Sequence, residues 1–176
     1  MTDRPLMLDA TKLPWHMDRV REWEAGGRIA PVSIDMALTR ACQASCRGCY
    51  AVLQESQTRN SIGLDTAYQF LDDCAEMGVR AVSLVSDGES SLSPIYEDFI
   101  DRAHDLGIDV GNATNGWRMF PDVAERILPK ISWVRFTVLA GKAESFARMM
   151  SHKQDRAQYW TAMHNISQAV EIKRKK

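Results

Sequence analysis

The 176-residue chain is 45% apolar by the set AVILMFWYC and 26% charged, with 22 Lys and Arg against 23 Asp and Glu, which is ordinary globular composition with room for one real core. Its mean hydropathy of -0.31, with no apolar run near the roughly 18 residues of a bilayer span, argues against an integral membrane protein. The net charge of -1 and pI near 6.4 leave no broad basic face for phosphates, so neither nucleic acid nor membrane is an expected partner.

The first residues, Met1 to Pro5, lack the apolar segment of a secretory signal, so the expected compartment is the cytoplasm, where thiols stay reduced. Residues 1–30 read as a lead-in whose one short helix, Pro14 to Ala25, carries Trp15, Val20 and Trp23 toward one face and stops at Gly26. Residues 31–176 read as the core, with short β-rich runs alternating with segments of period near 3.6. That alternation is the mark of strand–helix–strand crossovers and a parallel sheet.

The first strand is expected over Val32 to Leu38, followed by a loop with three cysteines and then a helix from Asp65 to Met77 that Gly78 stops. A second strand, Ala81 to Val85, leads to Ser93-Pro94, which reads as an N-cap and first-turn proline for a helix burying Tyr96, Phe99, Ile100, Ala103 and Leu106. The third strand is Ile108 to Gly111. Pro121 opens the next helix, with Val123, Ala124, Ile127 and Leu128 inward, and the fourth strand is Trp133 to Leu139. Two closing helices, Ala143 to Met150 and Asp155 to Lys173, flank His152-Lys153-Gln154, and the second turns Tyr159, Met163, Ile166 and Val170 inward. Four βα units result. The five Trp and nine Met read as packing residues, Cys74 as a small buried hydrophobe, and His104, His152 and His164 show no metal spacing.

The chemistry concentrates in Arg40-Ala41-Cys42-Gln43-Ala44-Ser45-Cys46-Arg47-Gly48-Cys49-Tyr50, a CxxxCxxC pattern just beyond a parallel strand. Three thiolates so close converge on one metal or cluster more easily than on separate tasks. Tetrahedral zinc wants a fourth ligand; the nearest histidines are His16 and His104, and Cys74 lies in a helix's apolar stripe. Three ligands suit a thiolate-bound [4Fe-4S] cluster with one iron left open.

On these residues the sequence resembles the radical SAM superfamily, which holds such a cluster by CxxxCxxC after the first strand of a partial parallel (β/α) barrel. The family usually carries an aromatic before the third cysteine; here that place is Gly48 and Tyr50 follows. The resemblance implies that Cys42, Cys46 and Cys49 hold the cluster and that Tyr50 packs on the adenine of S-adenosylmethionine. Ser86-Asp87-Gly88-Glu89 is similar to the family's Gly-Gly-Glu motif, with Asp87 in place of the first glycine and Ser90 in place of the usual proline. By that likeness Gly88 lets backbone approach the cofactor and Glu89 offers a carboxylate to its ammonium. Asn112-Ala113-Thr114-Asn115-Gly116-Trp117 resembles the family's Thr-Asn-Gly run, implying a cofactor or substrate contact by Asn115, and Thr137 corresponds to a strand residue near the ribose.

The implied activity is reductive cleavage of S-adenosylmethionine to methionine and a 5′-deoxyadenosyl radical, which abstracts hydrogen from a small-molecule or peptide substrate. A one-electron donor of the flavodoxin or ferredoxin type would serve it. No catalytic residue beyond the cofactor ligands is assigned. The alternatives are a non-catalytic cysteine module holding zinc or an Fe-S centre, and an inactive fragment. The family core commonly has six βα units, so the expectation is a truncated piece of a longer enzyme or a shortened gene product, with completion by a partner or an unusually open pocket as alternatives, and a fourth strand that forms an open apolar edge.

Overall fold

The computed structural model describes residues 13–55, 58–85, 87–150 and 155–175. Residues 1–5, Ser86, His152, Lys153, Gln154 and Lys176, for which the sequence raised expectations, therefore lie outside the described residues. Four strands, β1 (Ser33–Asp35), β2 (Ala81–Leu84), β3 (Asp109–Thr114) and β4 (Trp133–Phe136), form one parallel sheet in the order β1-β2-β3-β4. A 3-10 turn (Leu13–His16) leads into α1 (Met17–Glu24), and α2 (Tyr50–Leu53) and α3 (Leu64–Glu76) join β1 to β2. α4 (Tyr96–Asp105) joins β2 to β3, α5 (Pro121–Ile127) joins β3 to β4, and α6 (Ala143–Met150) and α7 (Ala157–Lys175) follow. Every crossover thus carries the chain back to start a neighbouring parallel strand, and the strand C-termini share one edge. This is the expected α/β architecture of alternating parallel strands and helices.

The two faces of the sheet differ because successive strand residues point opposite ways. Val82, Leu84 and Val110 enter a core with Leu71 of α3, Phe99 and Ile100 of α4 and Ile127 of α5, all at 5% exposure or less. The alternate positions Ser83, Gly111 and Ala113 are small. Gly111 is opposite Trp133 in the register, and a Cβ on it would lie 2.4 Å from the indole, so the absent side chain admits that ring.

Several expected boundaries shift for identifiable reasons. β1 is three residues long and sits at the sheet edge, whereas β3 runs on to Thr114, placing Asn112 inside the strand and not in the loop after it. β2 stops at Leu84 and β4 at Phe136. Ser93 is not the N-cap of α4: a 3-10 turn (Ser90–Leu92) intervenes, the helix starts at Tyr96 behind Ile95, and the buried Ser93 hydroxyl makes no hydrogen bond.

On α7 the buried residues are Ala162, Asn165 and Ala169, while Val170 is exposed. Of the expected inward residues, Tyr159 and Met163 pack half-buried on the cluster of Phe146, Met150 and Ala162, and Ile166 is half-buried; beside them Asn165 donates to the carbonyls of Gly116 at 2.9 Å and Trp117 at 3.3 Å. The tryptophans are also less buried than expected: Trp15, Trp23 and Trp160 are each more than 60% exposed. Arg19 of α1 nevertheless docks the lead-in helix by donating to Ala30 O at 2.6 Å and to Gly78 O.

Candidate functional site

Beyond β1 the chain passes through fully buried Leu38 into the cysteine loop. Cys42, Cys46 and Cys49 are all free and half-buried. The Ala44 N–H donates to Cys42 Sγ at 3.4 Å, the Cys49 N–H donates to Cys46 O at 3.0 Å, and Cys49 is the N-cap residue of α2. The loop apex rests on the end of α6, where the Ser45 and Arg47 amides donate to the carbonyls of Met150 and Met149 at 2.9 and 3.0 Å. Cys42 and Cys46 pack on a small apolar cluster of Ala44, Trp117, Phe146, Met150 and Ala162. Burial, reinforced by the Glu89 charge and the other two cysteines, pushes the Cys42 thiol up to about 11 against the Ala44 N–H; burial and then Cys49 raise Cys46. Ligation would therefore have to displace protons at neutral pH.

The loop after β2 is pressed onto this one. Gly88 has φ of +71°, and a Cβ there would lie 2.3 Å from Thr39 O and 2.8 Å from Ala41 O. The glycine is therefore needed for contact between two protein loops, a use of the residue that its sequence pattern does not reveal. Next to it the Glu89 N–H donates to Ala41 O at 2.8 Å.

The Glu89 carboxylate is 4% exposed. Its Oε1 accepts from Ser91 Oγ at 2.7 Å, Thr114 Oγ1 at 2.8 Å and Ser91 N at 3.3 Å, and its Oε2 accepts from Asn115 N at 2.8 Å. One buried carboxylate thus ties the end of β3 to the loop after β2. Asp87 turns the other way: Oδ2 accepts from Arg40 Nε at 3.1 Å and Nη2 at 2.9 Å, and Oδ1 accepts from the Tyr50 hydroxyl. The Tyr50 hydrogen bond, opposed by burial and aided by Arg40, holds the Asp87 carboxyl below the usual range.

At the end of β3, Asn115 Oδ1 accepts from Gln43 Nε2 at 3.2 Å and from Trp117 N at 3.0 Å, bridging back to the cysteine loop. Asn112 donates to the Tyr96 hydroxyl at 2.8 Å, and burial raises that phenol. Thr137 extends the β3–β4 ladder one residue past β4, its N–H donating to Thr114 O at 2.8 Å.

Direct contacts therefore join the cysteine loop, Gly88, Glu89 and Asn115. Thr137 reaches the group through backbone alone, and Tyr50 is 52% exposed with its hydroxyl on Asp87. Arg40, Gln43, Asp87, Thr114 and Trp117 belong to the same network without having been singled out as binding residues. The available signal was Asp87 itself, an acid in a glycine's place with an arginine and a tyrosine bracketing the cysteines.

The residues fit an iron-sulfur cluster and a polar ligand on two counts. The donor set is three reduced thiols in one loop, and thiolates are the usual cluster ligands. Beside it Asn115 Nδ2, Trp117 Nε1 and Gln43 Oε1 are buried without a hydrogen-bond partner, a cost that a bound polar group would relieve. Among the described residues, no three His, Cys, Asp or Glu side chains converge on a single metal ion. No helix among them is long and apolar enough to cross a membrane.

Comparison with known proteins adds a family match, two relatives and a structural neighbour. The sequence pattern of the Radical SAM superfamily matches residues 36–173. The AdoMet-dependent heme synthase of Methanosarcina barkeri is 29% identical over 98 residues, covering 56% of this chain and 28% of that protein. A mycofactocin maturase of Mycobacterium tuberculosis is 31% identical over 103 residues, covering 57% and 25% respectively. The chain thus spans about a quarter of the length of these curated relatives. In structure, SuiB of Streptococcus suis bound to its precursor peptide SuiA superposes with a TM-score of 0.65 at 15% identity, covering 96% of this chain and 38% of that one. That likeness is one of fold.

Proposed function

This chain belongs to the radical SAM superfamily, and from that premise we propose that it is the cluster-bearing part of an enzyme that cleaves S-adenosylmethionine reductively to begin radical chemistry on an organic or peptide substrate. The observation that carries the reading is the direct joining of a loop of three free thiols to Glu89 and Asn115 at the C-terminal edge of one parallel sheet, the edge where (β/α) barrels place their chemistry. Cys42, Cys46 and Cys49 would hold a [4Fe-4S] cluster. A cluster held there would supply the one-electron reduction by which the sulfonium bond of S-adenosylmethionine is cleaved, with methionine as the leaving group.

The chain's own part is binding and orientation. Gly88 and Glu89 shape the seat for the methionine end, Glu89 chiefly by fixing the Thr114–Asn115 backbone, since four hydrogen bonds already engage its carboxylate. Asn115 offers its unpartnered Nδ2 to the bound molecule. Tyr50 supplies a ring beside Cys49 for the adenine, and Thr137 faces the ribose side. A flavodoxin- or ferredoxin-type protein in the cytoplasm is the proposed electron source.

Reconstitution with iron and sulfide without oxygen tests the reading. The expected product is a brown protein with about four irons per chain, its visible absorption lost in Cys46→Ala, that forms 5′-deoxyadenosine with dithionite and S-adenosylmethionine. A colourless protein that takes up zinc and no iron overturns the cofactor reading. A loaded cluster without 5′-deoxyadenosine overturns the activity.

A further inference from the structure

The face of the sheet turned away from the core is lined by alternate strand residues, and the parallel register sets them in rows. Asp35, Ser83, Gly111 and Trp133 form one row across β1, β2, β3 and β4, and Ala113 with Arg135 belongs to the next row toward the strand C-termini. The middle of this face is shallow: Ser83, Gly111 and Ala113 are small, and the Trp133 indole lies over Gly111 where a side chain would stand. Its two sides are charged. Asp35 on β1 and Arg135 on β4 are both exposed, and among the described residues neither side chain has an ion-pair or hydrogen-bond partner. Three strand spacings of about 4.8 Å put them roughly 14 Å apart across the sheet, beyond reach of each other. At the head of the β3 column, one place past the strand, Asn115 is 5% exposed and its Nδ2 is without a partner. The face therefore runs up to the same buried amide that the cysteine loop meets through Gln43.

We propose that this face is the substrate floor and that it takes an extended peptide segment of about four residues, laid across the strands with a cationic group over Asp35 and a carboxylate over Arg135. The proposal rests on the cofactor reading above for its purpose and deepens it by naming the substrate class. Four residues at about 3.5 Å each cover the roughly 14 Å between the two charges. A peptide backbone can approach a sheet face closely only where side chains are short, and Ser83, Gly111 and Ala113 give it that room. The Ser83 hydroxyl can donate to or accept from the peptide backbone, and the indole offers an apolar or aromatic side chain a flat ring to pack on. Opposite charges at the two ends select direction as well as length, because a reversed chain would set like charge on like at both. Asp35 and Arg135 bind and orient under this assignment and make no bond in the reaction. Charges on edge strands also deter edge-to-edge pairing, but that role needs neither opposite signs nor a fixed separation, so the two accounts differ in what they let bind.

The probe is the tetrapeptide Gly-Gly-Phe-Gly with free ends, titrated into the metal-free full chain and followed by calorimetry. Acetylating its amine or amidating its carboxylate should each weaken binding about fivefold, and so should Asp35→Asn and Arg135→Gln. The losses should couple in matched pairs: acetylation costs nothing further in Asp35→Asn, and amidation nothing further in Arg135→Gln. Free diglycine, which spans half the distance, should bind about tenfold more weakly than the tetrapeptide because it reaches one charge at a time. Ser83→Leu, which raises the middle of the floor, should abolish binding with its far-ultraviolet signal intact.

No binding at millimolar tetrapeptide, equal affinity for the free and blocked peptides, or losses that simply add each overturn the proposal. Diglycine binding as tightly as the tetrapeptide overturns it too, since the spacing of the two charges would then count for nothing. Should Ser83→Leu fail to fold, the two charge variants decide alone, both being conservative changes at exposed positions. The outcome is independent of the cofactor reading. A chain that takes up no iron yet discriminates the peptides as described defeats that reading and leaves the floor standing, whereas a loaded chain that forms 5′-deoxyadenosine but binds all the peptides alike defeats the floor only.

Discussion

The loops after β1, β2 and β3 and the margin at β4 are built on opposite plans. The first three are stitched to one another by side chains: Glu89 joins the second loop to the third, Asp87 the second to both ends of the first, and Asn115 with Gln43 the third to the first. At β4 the sheet continues past the strand by a single backbone bond from Thr137, and among the described residues no strand pairs with its outer edge. The cysteine side of this edge is therefore cross-linked by side chains, while the margin at β4 is held through backbone. Such a division would suit the two ligands proposed above: a cluster needs its thiols placed before it binds, whereas an organic cofactor can be enclosed by segments that come together around it.

The largest effect should come from prising the first two loops apart. Gly88→Ala puts a Cβ 2.3 Å from Thr39 O at a φ of +71°, with backbone and no flexible side-chain tip in the way. Left-handed strain and overpacking together should cost about 2–4 kcal/mol, read by urea unfolding, and cluster uptake should fall in proportion to the displaced loop. A loss below about 1 kcal/mol would mean the loops are not wedged together as described.

Next in size is Glu89→Gln, which sharpens the comparison by keeping shape and removing charge. One amide oxygen can still accept from Ser91 and Thr114, but the NH2 then faces the Asn115 N–H, donor against donor. Losing a charge-assisted bond and stranding a buried N–H should cost about 2–3 kcal/mol, visible in the same unfolding experiment. Equal stability would show the carboxylate to be dispensable to the fold and free for a ligand.

Gly111→Ala probes the β4 side. The new methyl would sit 2.4 Å from the Trp133 indole, yet here the obstacle is a side chain on a strand that is half-buried and paired on one edge only. Trp133 can swing away, so the cost should stay nearer about 1 kcal/mol, with a change in tryptophan fluorescence as its signature. A penalty as large as that of Gly88→Ala would erase the distinction between a stitched side and a yielding one.

The sequence made the elements legible because their causes are local. Gly78 and Gly107 stop helices, Pro121 starts one, and apolar spacing placed α3, α4 and α6 within a residue or two. The cysteine loop was equally plain, its spacing lying in consecutive residues. What stayed hidden depends on partners far along the chain. Asp87 meets Tyr50 across 37 residues and Arg40 across 47. On α7, Asn165 is buried because it bonds carbonyls 48 and 49 residues away, a contact that the apolar pattern does not announce. The saturation of Glu89 likewise depends on Thr114 at the end of β3 and Asn115 just beyond it, so the motif showed which acid mattered but not that protein donors already occupy it.

The smallest expected effect lies away from the site, where α4 and α5 are linked by charge in place of stitched loops. Asp101 of α4 accepts from Arg126 at 2.7 Å and from Lys130 at 2.6 Å, and Arg126 also pairs with Asp98 at 2.7 Å and Glu97 at 3.2 Å. Burial alone would raise the Asp101 carboxyl, but the hydrogen bonds and charges of Lys130 and Arg126 hold it below the usual range. A depressed folded pKa contributes stability above the unfolded value, near 3.9 for an aspartate, and that contribution is lost as pH falls through the folded value. These groups are partly exposed, so Asp101→Asn should cost under about 1 kcal/mol at pH 7. The gap between variant and parent should narrow below about pH 4 and close once Asp101 is protonated in both states of the parent. Urea unfolding at neutral and acid pH measures it, and a gap that persists at low pH would show that Asp101 holds the helices by shape and hydrogen bonding instead of charge.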